Sequence, residues 1–137
     1  MTRTAPRRLA AAPLALALAL LAAHAPGARA EGIARTELNR ADLSGVPGYE
    51  VIVARLEIAP GGVVPRHSHA GDEHLYVLEG GDLTTPDGKT VSFKPGMAVA
   101  FPRGLVHGGL TGAGPGTVVV ITTHIVEKGG PLNIPAE

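Results

Sequence analysis

The chain has no cysteine and no tryptophan, two tyrosines and two phenylalanines, and a charged fraction of 18% in 137 residues. Each scarcity excludes something. Without cysteine there is no disulfide, so an exported domain must rest on its core, with a metal or a second subunit as the remaining supports. The aromatics are Tyr49, Tyr76, Phe93 and Phe101, so a pocket built on aromatic stacking is not indicated. Basic residues are scarce where a partner would need them. Beyond residue 30 there are eight Lys and Arg against all twelve acids, a net charge of −4 with neutral histidine. No basic stripe remains, which argues against nucleic acid as a partner. The longest apolar run, Leu9 to Ala23, is short of the roughly 20 residues a spanning helix needs.

That run has a different explanation. Arg3, Arg7 and Arg8 precede it, and "GARA", with small residues at Ala28 and Ala30, follows it. A basic start, an apolar middle and an A-x-A end are the parts of a secretory signal peptide. Residues 1–30 are therefore expected to be removed, leaving a chain that starts at Glu31, is periplasmic or secreted, and has no membrane attachment. An uncleaved anchor is the alternative. The Arg7-Arg8 pair is compatible with twin-arginine export and equally with an ordinary basic start.

From residue 31 onward, the pattern is β. "YEVIVARLEI" (49–58) and "TVVVITTHIV" (117–126) are rich in β-branched residues. Shorter runs are expected at 74–78, 83–85, 90–93 and 98–101, with "PDGK" as a hairpin turn between the middle two. Short strands punctuated by Gly and Pro suggest an all-β sandwich or barrel of one domain over 31–127. Residues 128–137, ending in "GGPLNIPAE", read as a loose tail or an arm against a partner. Glu50 and Glu57 read as solvent-facing strand positions.

Residues 67–81, "HSHAGDEHLYVLEGG", concentrate three histidines and three acids. His67 and His69 are two apart, so on a strand they face the same way. Glu73 follows the small step "AGD", which lets the chain bend and return a carboxylate to the same side. His107 is a fourth candidate, just after "PRG". Three imidazoles and a carboxylate suit a divalent transition metal: iron, manganese, zinc, nickel or copper. The alternative is that each is an unconnected surface or core residue. Alternation turns His74 to the opposite face from Glu73, together with Tyr76 and Leu78, whereas Leu75 and Val77 share the Glu73 face.

The spacing carries a family resemblance as well. Gly61, five residues, His67-Ser68-His69, three residues, Glu73, six residues and Gly80 resembles the first motif of the cupins. Gly96, five residues, Pro102-Arg103-Gly104, two residues and His107 is similar to their second motif. Fifteen residues separate Gly80 from Gly96, as in compact single-domain members. One position departs: Thr111 stands where the second motif usually ends in asparagine, a residue that is not among the usual ligands. The resemblance implies a jelly-roll β-barrel with His67, His69, Glu73 and His107 converging on its interior around one metal. It also implies a homodimer, and more narrowly a small exported bacterial cupin.

Such a metal would leave one or two positions for a small-molecule ligand or substrate. Three functions follow. One is a metal-dependent oxygenase or decarboxylase acting on a small acid or oxygenated metabolite. Another is a non-catalytic binder of metal or small ligand. The third is a structural cupin stabilised by its metal. No catalytic residue is singled out. Arg55, Arg66 and Arg103 are the candidates to hold a carboxylate bidentately, and Thr122 or His124 is expected to reach the cavity.

Overall fold

Alternation along the strands builds two facing sheets. A computed structural model describes residues 31–137; the expected signal peptide lies outside the described residues. Five strands form the larger sheet: β1 (Ile33–Asp42), β2 (Tyr49–Ile58), β5 (Asp72–Glu79), β8 (Ala98–Phe101) and β10 (Val118–Glu127). Their order is β1-β2-β10-β5-β8, with every pair antiparallel. The facing sheet has β3 (Val63–Val64), β9 (Leu110–Gly112), β6 (Gly81–Thr84) and β7 (Thr90–Phe93), in that order. A two-stranded ribbon joins β4 (His67–Ser68) to β11 (Ile134–Pro135). The fold is a jelly-roll, or double-stranded β-helix, with no helix among the described residues.

The inner face of the large sheet has two halves. On β10, Val118 and Val120 point inward, followed by Thr122 and His124. On antiparallel β5 the sequence runs the other way, Glu73 first and Val77 last. Val120 therefore pairs with Val77, and His124 pairs with Glu73. Apolar rows meet at one end, where Ile58, Val77, Leu83, Val118 and Val120 form the buried core. Polar rows meet at the other end, where the histidines collect.

Three sequence expectations change. β1 was not expected, because "IARTELNRAD" has little β propensity. It forms as an edge strand, held along β2 by a ladder from Ile33–Ile58 to Asp42–Glu50; polar residues suit an edge that other chains must not extend. Glu50 is not solvent-facing but only 7% exposed. Ile52, Ala54 and Ile58 on the same strand are buried too, so parity carries Glu50 inside, where Arg40 neutralises it. Glu57 has the opposite parity and stays outside, paired with Arg55. Finally, the chain end is not loose. Ile134 pairs with Ser68, Pro135 pairs with His67, and the Ala136 N–H donates to the Arg66 carbonyl.

Candidate metal centre

Strand geometry alone brings the two sequence motifs together. The His67 N–H donates to the His107 carbonyl at 2.9 Å, and the His107 N–H donates back to the His67 carbonyl at 2.8 Å. Two glycines make room. A Cβ at Gly71 would lie 1.8 Å from the Ile125 carbonyl oxygen, so the bend that returns Glu73 needs a bare backbone there. Gly108 has φ of 80° and lies against the Pro65 carbonyl, beside the His67 ring; a side chain would be strained by φ and blocked by contact.

One ligand atom from each of His67, His69, Glu73 and His107 falls within 4.8 Å of the other three. Glu73 Oε2 lies 2.9 Å from His69 Nε2 and 2.9 Å from His107 Nε2. The His67 and His107 rings have centroids 4.4 Å apart. Phe101 stacks on His107 at 4.1 Å and fixes its plane.

The far side of each ring is also organised. His67 Nδ1 is 2.8 Å from the Pro65 carbonyl oxygen, His69 Nδ1 is 2.6 Å from that of Leu132, and His107 Nδ1 is 3.0 Å from that of Leu105. A carbonyl can only accept, so each Nδ1 carries the proton and donates it. Each Nε2 then faces inward, where it can offer a lone pair to a metal once any proton it shares with Glu73 is lost. Outer hydrogen bonds of this kind orient the histidines of metal sites. The donor set fits a divalent transition metal on this ground: three oriented imidazole nitrogens and one carboxylate, converging and largely buried.

Electrostatics describe the metal-free centre. Burial raises the Glu73 pKa, but hydrogen bonds from His107 and His69 and the nearby His124 outweigh it, and the carboxyl is held well below its ordinary range. Burial lowers the His107 pKa, but the Glu73 carboxylate and the Leu105 carbonyl together raise it above the ordinary imidazole value. Burial pushes His67 down. It pushes His124 down to about 4, against the attraction of Glu73.

His124 is the site residue that the motifs do not mark. It is 3% exposed, its Nε2 lies 3.2 Å from Thr122 Oγ1 and 3.9 Å from Glu73 Oε1, and its Nδ1 is buried without a hydrogen-bond partner among the described residues. Parity on the last long strand was the available signal, and both Thr122 and His124 line the cavity. Of the three candidate arginines, Arg66 lines the cavity. Arg55 pairs with Glu57, and Arg103 lies 3.4 Å from Glu127. Arg35, on the unexpected β1, lines the cavity as well. His74 is exposed on the outer face.

Comparison with known proteins agrees with this architecture. The Cupin domain family model matches residues 54–124. Germin-like protein subfamily 3 member 1 of Arabidopsis thaliana is 34% identical over 95 residues, covering 65% of this chain and 46% of that protein. The chain thus spans less than half the length of that relative. Among solved structures, the polyketide cyclase RemF of Streptomyces resistomycificus is 26% identical with a TM-score of 0.57, covering 78% of this chain and 72% of that one. An oxalate oxidase in complex with the substrate analogue glycolate is 27% identical with a TM-score of 0.52, covering 77% and 55%. With more than half of its residues matched by the family model and both motifs folded against one another, the chain belongs to the cupins.

Proposed function

We propose that His67, His69, Glu73 and His107 hold one divalent metal, and that the protein is an exported metal-dependent enzyme of the oxygenase or decarboxylase type acting on a small acid or oxygenated metabolite. The observation that carries this reading is the set of three Nδ1–H donors to backbone carbonyls, which turns three Nε2 atoms toward one carboxylate. The metal would supply a Lewis acid that polarises a coordinated oxygen. The chain's own groups do the rest. Phe101 holds the His107 ring, Glu73 supplies the anionic ligand, and Thr122 and His124 present hydrogen-bonding atoms to the same cavity. His124, with its pKa near 4, is a neutral imidazole at neutral pH.

A cavity of about 460 Å³ adjoins the site, so the barrel is not filled, which weighs against a purely structural metal. The glycolate complex of the related oxalate oxidase supports a small oxygenated acid as the ligand. A non-catalytic binder would use the same contacts and differs only in turnover. Elemental analysis of protein from its native compartment, followed by a turnover screen of small carboxylates and diols, separates these outcomes. Less than a small fraction of one metal per chain, after loading with each of the five candidate metals, would end the proposal.

Export and assembly complete the reading. The mature chain starts at Glu31 and is periplasmic or secreted, which N-terminal sequencing of exported protein tests. The outer face of β5, with Tyr76 48% and Leu78 42% exposed, supports a homodimer. Light scattering that returns a monomer at micromolar concentration would remove it.

A further inference from the structure

The cavity is far larger than a two-carbon acid requires. Its volume lies within the few hundred to a thousand Å³ of small-molecule pockets. Its wall is of two kinds. Ile33, Leu56, Val64 and Pro65 contribute apolar surface. The charged groups are unbalanced: Arg35 and Arg66 line it, and Glu73 is the one carboxylate that does. With the proposed divalent metal in place, the lining carries a net charge of +3.

Arg35 is the more telling of the two arginines. Its Cα is opposite Leu56 in the β1–β2 ladder, so both side chains lie on the inner face of the sheet. Arg40, further along the strand, is engaged by Glu37 and Glu50. Arg35 makes no hydrogen bond or ion pair with any side chain among the described residues. It is exposed at the mouth of the cavity, where partial desolvation lowers its pKa and where its charge acts on both Glu73 and His124. A guanidinium presents planar paired donors that match a carboxylate. A guanidinium at the cavity with no side-chain partner among the described residues marks a place for the carboxylate of a ligand.

We infer that Arg35 anchors the carboxylate of a ligand whose sizeable apolar body packs against Ile33, Leu56 and Val64, so that the site selects a monocarboxylate with a hydrocarbon or arene body over a two-carbon diacid. The inference deepens the proposed function and rests on it for the metal alone. Calorimetric titration of the metal-loaded protein with hexanoate, benzoate, oxalate and the neutral hexanamide tests it. Hexanoate and benzoate should bind at least about tenfold tighter than hexanamide, as a charged hydrogen-bonded pair allows, and tighter than oxalate. Arg35→Met should weaken hexanoate by a similar factor while keeping its metal. Arg35→Lys, which keeps the charge and loses the fork, should recover part of the affinity. Equal hexanoate affinity in the wild type and Arg35→Met, both metal-loaded, overturns the anchor and leaves the metal reading intact. Oxalate binding as tightly as hexanoate overturns the apolar part. If the wild type takes up no metal, the metal reading fails by itself. The same titration of wild type against Arg35→Met then judges the anchor in metal-free protein.

Discussion

Glu73 and His74 are neighbours in the chain and live in different solvents. Glu73 is 5% exposed and receives two imidazoles. His74 faces water on the other side of the same strand. Across β10 the contrast repeats: His124 is opposite Glu73 and buried, and Thr123 is opposite His74 on the outer face. His74 has the same ring chemistry as the three histidines that converge on Glu73. What separates them is the period of two along a strand, which assigns each side chain to a face before any packing is considered. The inner face then gains what the outer one lacks: backbone carbonyls that orient the rings, and a low-dielectric setting in which charges strongly alter one another.

The contrast can be broken from either side, and the strongest test removes a ligand. His67→Ala and His107→Ala should each weaken metal binding by more than about 100-fold, beyond the loss typical of outer partners. Metal per chain by elemental analysis, before and after dialysis against chelator, measures it. Full retention in both variants would show that the inner cluster is no metal site. Next comes the chain end. Deleting residues 132–137 removes the Leu132 carbonyl that accepts from His69 Nδ1. Metal affinity should fall about 10–100-fold although every ligand remains. An unchanged dissociation constant would show that the chain end does not orient His69.

A smaller effect concerns protons in the metal-free protein. The unfolded His124 imidazole takes its proton near 6.5, and the folded one only near 4. Between these values the unfolded state binds more protons, so stability rises with pH. The neutral buried ring therefore costs nothing above about pH 6.5. As pH falls from there to about 4, the wild type should lose on the order of 3 kcal/mol relative to His124→Gln. Denaturant melts of both proteins with chelator present give the difference. Parallel curves across that window would mean that His124 is not buried as a neutral ring. The smallest effect should come from His74→Ala: no change in metal content and a stability change within about 0.5 kcal/mol, as for a surface position. Loss of metal in that variant would invert the assignment of faces on β5.

The sequence by itself determined what depends on local periodicity and spacing. The long strands 49–58 and 117–126 were legible because β-branched runs select extended backbone. His67 and His69 on one face, and Glu73 and His74 on two, follow from pleat geometry. The two glycine-bounded motifs marked four side chains that the fold brings within 4.8 Å. Tertiary structure decided what depends on which distant segments meet. β1 has no strong signal of its own and exists because β2 offers it a ladder. Within β1 the register shifts between Glu37 and Asn39. Simple alternation from Arg35 would place Arg40 outside, but the extra residue turns it inward to Glu50. Arg35 reaches the cavity only because an edge strand lies there, and Leu132 orients His69 only because the chain end folds back on β4. A local pattern fixes which way a side chain points relative to its neighbours. Only closure of the barrel fixes what it points at.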